Sequence, residues 1–320
     1  MKFLDDLKFQ KNFLIQHKAY LQKGVYVLHE NLRTYILKEY MEKDWFPKAE
    51  STLKNRIKIF IAHSLFSVRV GKNQNDFSAQ AVYFSTIQQA YNRDAKFFDY
   101  EGQKVRTVCQ NKIRYDLYMR NRKYFEKYFP MVDLLSADED SLIFEEKLID
   151  KKSIADGQWE TVFRKLFDIY SKYYKISEVD KTDSVHRFTH FPVEKNDRNV
   201  TLYRQHGDLS SDNFIYDKNG DIFIIDYDHA NYYPLYYDLF FLITNLYIWK
   251  NNSIGVELLV NGAFDEYIKN ANGDDNSVYD AFLLFSDYYL DVCDKDGISY
   301  EWQMKYEKIF GDILSRLRKQ

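Results

Sequence analysis

Eleven glycines are spread over 320 residues, and no two are spaced to give GxGxxG, GxxxxGK[ST] or GxSxG. Those patterns exist because a backbone must turn sharply, or approach a phosphate, where a Cβ would collide. Their absence removes the Rossmann dinucleotide folds, the P-loop NTPases and the nucleophile-elbow hydrolases. A nucleotide site in this chain must hold phosphates by another device.

Charge and cysteine content narrow the field further. The formal net charge is −3, and no block of six Lys or Arg occurs, which disfavours a dedicated nucleic-acid binder. Cys109 and Cys293 form no CxxC and no zinc spacing, so they read as reduced thiols of a cytoplasmic protein. The start, MKFLDDLKFQ, carries acids where a signal peptide needs an apolar run. The most apolar stretch, 235–249, is interrupted by Asp238, Thr244 and Asn245 and is too short to span a bilayer. It reads as a buried helix. The chain is long enough for a large core and two lobes.

Local patterns give an α+β order. Helical periodicity is expected near 30–42, followed by a basic stretch at 54–58. Two β-prone runs, 95–100 and 104–109, flank Glu101-Gly102 and predict a hairpin. A helix is expected from Lys112 to Tyr128, ending before Pro130. A short buried strand follows at 141–149, and a helix over 159–174 with Val162, Leu166 and Ile169 on one face. Residues 175–200 read as loop, and the chain after Phe240 as helix with breaks near 251–252 and 272–276.

The run from Gln205 to Asp228, QHGDLSSDNFIYDKNGDIFIIDYD, carries the chemistry. Residues 213–217 and 222–226 are strand candidates around Asn219-Gly220. A two-residue type I′ turn there would pair Asn213 with Asp226. Directly opposed side chains lie roughly 4.5–5.5 Å apart at Cβ. An amide oxygen and a carboxylate would thus meet at the open end of the hairpin, both hard ligands suited to Mg²⁺. Asp208 lies just upstream. Asp228 follows Asp226 by two and, in extended chain, would point the same way, towards an acceptor.

At these residues the chain resembles the aminoglycoside phosphotransferases and choline/ethanolamine kinases. The match is His206-Gly207-Asp208, then Asn213, then Ile224-Ile225-Asp226, within about residues 203–240. The resemblance implies Asp208 as catalytic base, with Asn213 and Asp226 holding Mg²⁺. Asp226-Tyr227-Asp228 resembles the Asp-aromatic-acid run of the choline-kinase-like members, and Asp238 the structural Asp behind the catalytic loop. The implied fold is two-lobed and protein-kinase-like. A small antiparallel-sheet N-lobe, with an N-terminal extension, would span 1–148 and bind ATP, and a mainly helical C-lobe would span 149–320. The family's ATP-binding Lys falls on Lys104 or Arg106, which share one face by period two. Its helix acid falls on Asp116, with Glu126 second, and Glu145-Glu146 fall where the chain crosses between lobes near adenine. The implied activity is ATP- and Mg²⁺-dependent phosphorylation of a hydroxyl on a small molecule, amino alcohol or cell-envelope saccharide.

Competing readings rest on fewer features. The acids between 208 and 228 as mere solvated surface do not explain an Ile-Phe-Ile-Ile run ending in Asp. The alternation from Asp217 to Asp221 fails as an EF-hand, since Ile222 and Asp228 stand where Gly and Glu are required. His206 reads as scaffold, and His186 and His190 have no acidic partners at metal spacing in sequence. Tyr232, Tyr233, Tyr236, Tyr237 and Trp249 read as packing more than as a cation box. An inactive pseudokinase is the main alternative, because the small-lobe Lys is not settled by the sequence. A protein kinase is disfavoured by the missing Gly-rich loop and by IIDYD.

Overall fold

The computed structural model describes residues 2–29, 33–42, 65–71, 76–84, 94–193, 197–269, 271 and 277–319. The basic stretch at 54–58 and the expected break at 272–276 lie outside them. The chain divides into two units, Met1–Arg120 with Val132–Ile149, and Asn121–Met131 with Asp150–Gln320.

The first unit begins with helix α1 (Lys2–Gln16) and strands β1 (Gly24–Leu28), β2 (Thr34–Leu37) and β3 (Val68–Val70). It continues with β4 (Ala81–Phe84), β5 (Ala95–Asp99) and β6 (Lys104–Val108). Helix α2 (Lys112–Phe125) follows, its residues 112–120 in this unit, and then β7 (Leu134–Asp138) and β8 (Ile143–Lys147). Among the described residues these strands form an eight-stranded sheet in the order β3-β1-β2-β4-β5-β6-β8-β7, each pair antiparallel.

The β5–β6 hairpin forms as expected, with Asp99 opposite Lys104. The Asp99 carboxylate accepts the Gly102 N–H at 2.7 Å. The helix expected near 30–42 does not form, since Thr34–Leu37 is a strand with all four residues buried. A short apolar run fits either period, and here β1 on one side and β4 on the other satisfy its backbone. The N-terminal segment is therefore built into the sheet. Leu7 and Leu14 of α1 share a core with Tyr26, Tyr35, Val82 and Phe97.

The second unit contains α3 (Trp159–Tyr174), the pair β9 (Lys181–Arg187) and β10 (Asp197–Gln205), and the pair β11 (Phe214–Tyr216) and β12 (Ile222–Ile224). Strand β13 (Asn231–Tyr233) precedes α4 (Tyr237–Trp249), α5 (Ile254–Val260), α6 (Asp265–Lys269), α7 (Val278–Lys295) and α8 (Tyr300–Leu317). Helix α3 buries Val162, Leu166 and Tyr170 on its apolar face. Helix α4 is hydrophobic nearly all round and correspondingly buried. The expected loop at 175–200 is instead largely β9 and β10, paired from Lys181↔Tyr203 to Arg187↔Asp197. Apolar alternation is missing because most of β9 is exposed, so the hydrophobic signal for a strand was absent. No described helix is long and apolar enough to cross a membrane. Cys109 and Cys293 are both buried free thiols.

Candidate active site

The 206–208 loop hangs from a buried carboxylate. Asp238, in the first turn of α4, is fully buried. It accepts the His206 N–H at 2.8 Å, the Gly207 N–H at 2.7 Å and the Tyr170 hydroxyl at 2.6 Å. Burial pushes its pKa up, and His206, Tyr170 and the two backbone donors pull the other way. His206 braces the same loop. Its Nδ1 accepts the Asp208 N–H at 3.2 Å, so Nε2 carries the proton and donates to the Ile225 carbonyl at 2.8 Å. Gly207 has φ +85°, and a Cβ there would stand 2.4 Å from the His229 carbonyl and 2.5 Å from the Tyr233 hydroxyl. Only glycine fits.

Asp208 and Asn213 are directly bonded. The Asn213 side-chain amide donates to the Asp208 carbonyl at 2.7 Å and to its carboxylate at 3.1 Å. The turn between them is closed by Ser210 N–H to Asp208 O and by Asn213 N–H to Ser210 O. Burial is the main cause holding the Asp208 pKa above the usual carboxylate range. His229 and His206 pull it down, Asp226 pushes it up and the Asn213 bond pulls it down. Asp226 and His229 thus act electrostatically on Asp208, and the three residues of the expected motif gather in one place.

The hairpin that delivers them differs from the expected one by one residue. Phe214 faces Ile224 and Tyr216 faces Ile222, and the Ile225 N–H bonds the Asn213 carbonyl. Asn213 therefore faces Ile225, not Asp226. The loop holds three residues because Asp217 outcompetes the two-residue turn. Its carboxylate accepts the N–H groups of Asn219 and Asp221, both at 2.8 Å. Gly220 alone in that loop takes positive φ, +82°, the pattern of a three-residue loop with a bulge. Asp226 reaches the site by another route, a left-handed kink with φ 68° two residues after the end of β12. Such a conformation in a non-glycine residue costs of order 1–3 kcal/mol and clusters at functional sites.

That kink also changes the placement of Asp228. The expected extended path from Asp226 is replaced by a short 3₁₀ turn over Tyr227–His229, so period two does not apply. Asp228 is half-buried within that turn. The turn is tethered by Asn121, whose amide donates to the Tyr227 carbonyl at 2.7 Å. No sequence pattern marks Asn121 or His229. His229 had no motif partner, and Asn121 lies 106 positions from its contact.

Lys104, Arg106, Asp116, Glu145 and Glu146 lie in the first unit, and Glu126 in the second. Lys104 and Arg106 sit on β6, opposite Lys147 and Glu145 of β8. Arg106 donates to the Glu145 carboxylate, at 2.8 Å from Nε and closer still from Nη2. Its guanidinium also lies over Tyr20 and Phe77, 4.5 and 4.2 Å from the ring centres. The acid that meets Arg106 is thus a strand residue, not the expected helix residue. Asp116 pairs with Lys112 at 2.9 Å and is exposed, because position i,i+4 on its own helix is nearer. Glu126 lies 3.9 Å from Arg122. Glu145 and Glu146 are inside β8, and Glu146 accepts from the Tyr118 hydroxyl. The chain passes from one unit to the other at Ile149–Asp150, beyond both.

The donor set at the gathered motif fits a hard cation. The Asn213 amide nitrogen is spent on Asp208, which leaves the amide oxygen, with the Asp226 carboxylate, as donors of the kind Mg²⁺ takes.

Among solved structures, the chain resembles the choline kinase LicA from Streptococcus pneumoniae with 11% identity, TM-score 0.44, and coverage of 73% of this chain and 93% of that one. It also resembles an aminoglycoside phosphotransferase solved with ADP and hygromycin B, with 13% identity, TM-score 0.47, and coverage of 75% and 95%. A choline/ethanolamine kinase family protein from Mesorhizobium loti gives 12%, TM-score 0.39, 74% and 92%. No curated protein matches the sequence. The model of the phosphotransferase enzyme family matches residues 191–279, so the chain carries that family's pattern over the segment that contains Asp208, Asn213, Asp226 and Asp238.

Proposed function

We propose that this protein is an ATP- and Mg²⁺-dependent phosphotransferase that phosphorylates a hydroxyl of a small molecule, with amino alcohols and cell-envelope saccharides as acceptor classes. The observation that carries the reading is the bonding of Asn213 to the Asp208 carboxylate, with Asp226 acting on the same group. Asp208 accepts the hydroxyl proton as the acceptor oxygen attacks the γ-phosphorus and the bond to the β-phosphate bridging oxygen breaks. Asn213 holds the base in line, and Asp226 and the Asn213 oxygen hold Mg²⁺. The metal supplies charge neutralisation on the phosphates. Lys104 or Arg106 on β6 is the basic residue assigned to the nucleotide phosphates, and Arg106 is the one that pairs with an acid, Glu145. Asp228 is assigned to the acceptor side.

The experiment is an acceptor screen with γ-labelled ATP, run on wild type and on Asp226→Ala. Label transfer to a choline-like amino alcohol, an aminoglycoside or a polyol by wild type, abolished in the variant, is the expected result. An Arg, Arg106, in the acid-paired position on β6 where the resemblance expects a Lys favours a second reading, a nucleotide-binding protein without turnover. Nucleotide binding with no transfer and no Mg²⁺-dependent loss of ATP would select it.

The environment of Asp208 sets the pH dependence. The base works only as carboxylate, so activity falls as pH drops through its raised pKa. His229 opposes that rise. His229→Gln therefore lets the Asp208 pKa climb further and moves the acid limb of the kcat profile to higher pH. A limb that stays put or moves down would show that His229 does not act on the base.

A further inference from the structure

The segment between β9 and β10 meets α7 through a second set of titratable side chains. Asp287, Asp291 and Asp294 lie at i, i+4 and i+7, along one face of the helix. Asp287 is fully buried and spends its carboxylate on the segment itself. It accepts from His186 Nε2 at 2.9 Å and from the N–H groups of Thr189, His190 and Phe191 at 2.8–3.2 Å. Burial alone would push its pKa up, but these four donors hold it below the usual range. The backbone around His190 is thereby fixed before any ligand arrives.

What His190 does with its ring is different. Its Nε2 is shut off from solvent and makes no hydrogen bond. It faces two carboxylate oxygens, Asp291 Oδ1 at 3.3 Å and Asp294 Oδ2 at 3.4 Å. A charge-assisted hydrogen bond would settle at about 2.7–2.9 Å and along the N–H direction. The observed spacing suits another object. With metal–ligand bonds of about 2.0–2.1 Å, neighbouring donors of a tetrahedron stand about 3.3–3.4 Å apart. The three donor atoms lie within 4.8 Å of one another. The Thr189 hydroxyl donates to Asp291 Oδ1 at 2.9 Å, the kind of outer contact that orients a ligating carboxylate. Asp294 is half exposed, which leaves an open side for entry and for a water as fourth ligand.

We propose that His190, Asp291 and Asp294 bind a divalent transition-metal ion of the zinc class. An imidazole with two carboxylates favours Zn²⁺ over Ca²⁺ and Mg²⁺, which take six or more oxygens. The ion clips the β9–β10 connection to α7. It is distinct from the Mg²⁺ proposed at Asn213 and Asp226 and does not depend on that proposal.

The test is calorimetric titration of chelator-treated protein with Zn²⁺ alone, without nucleotide. One Zn²⁺ per chain is expected in wild type and equally in Asp226→Ala. His190→Gln and Asp294→Asn should each weaken binding by at least about tenfold. Zinc at a hundredfold excess over its Kd should raise the wild-type Tm by ~5 °C, and Mg²⁺ should not compete. The Co²⁺ form of the wild type needs no variant to fold. Tetrahedral coordination gives visible d–d absorption that Zn²⁺ displaces. No saturable 1:1 binding, binding unchanged in both variants, loss in Asp226→Ala alone, or no Co²⁺ absorption would each overturn the assignment.

Discussion

Asp208→Asn is expected to leave the fold and nucleotide affinity intact while turnover falls by about 10²–10⁴-fold. The side chain keeps its shape and keeps an oxygen to accept the Asn213 bond of 3.1 Å, so at most one hydrogen bond of about 1 kcal/mol is at stake in stability. What disappears is the carboxylate proposed as proton acceptor. The loss should therefore fall on kcat with KM for ATP little changed. Denaturation midpoint, nucleotide affinity and steady-state kinetics on one preparation check this. Turnover within a few-fold of wild type would remove Asp208 from the chemistry.

Asp238→Ala is expected to cost both stability and activity. The substitution strands two backbone N–H groups and the Tyr170 hydroxyl in a buried place. Each stranded donor costs about 1–3 kcal/mol, and loss of one partner from a buried charged network about 3–5 kcal/mol in all. Against a typical total of about 5–15 kcal/mol, that is a large fraction. The 206–208 loop loses its anchor, and a base displaced by about 1 Å loses on the order of 10²-fold in rate. Tyr170→Phe is the control, because it removes one of the three bonds and leaves the loop held. It should cost about 1 kcal/mol and change kcat by less than about threefold. Chemical denaturation and kinetics of both variants decide it. Equal rates for Asp238→Ala and wild type would mean that the loop keeps its geometry without the carboxylate.

Two hairpins of this chain differ in how well their turn residues predict their register. At β5–β6 the turn residues and the flanking strands agree, and the register follows with Asp99 opposite Lys104. At β11–β12 the Asn219-Gly220 signal is just as strong, yet the register is shifted by one. Asp217 adds an acceptor that captures two N–H groups of the loop and enlarges it. A turn motif ranks conformations by φ preference alone, and a neighbouring carboxylate can reverse that ranking by making two charge-assisted bonds.

The sequence by itself marked the residues proposed for the site and several of the elements that surround them. Asp238 stands out through the family resemblance, and Asp208, Asn213 and Asp226 stand out as candidates because their spacing and apolar flanks are local properties. The same holds for α3 and for the β5–β6 turn. Only the tertiary structure decided how Asp226 arrives, by a left-handed kink instead of a cross-strand pair. It also decided that Arg106 is taken by Glu145, 39 residues away, and that His190 meets Asp291 and Asp294 a hundred residues downstream. The physical reason is common to all three. A side chain's partner is set by whichever charge or donor the packed backbone brings within a few ångströms, and for pairs distant in sequence nothing in the local pattern encodes that proximity.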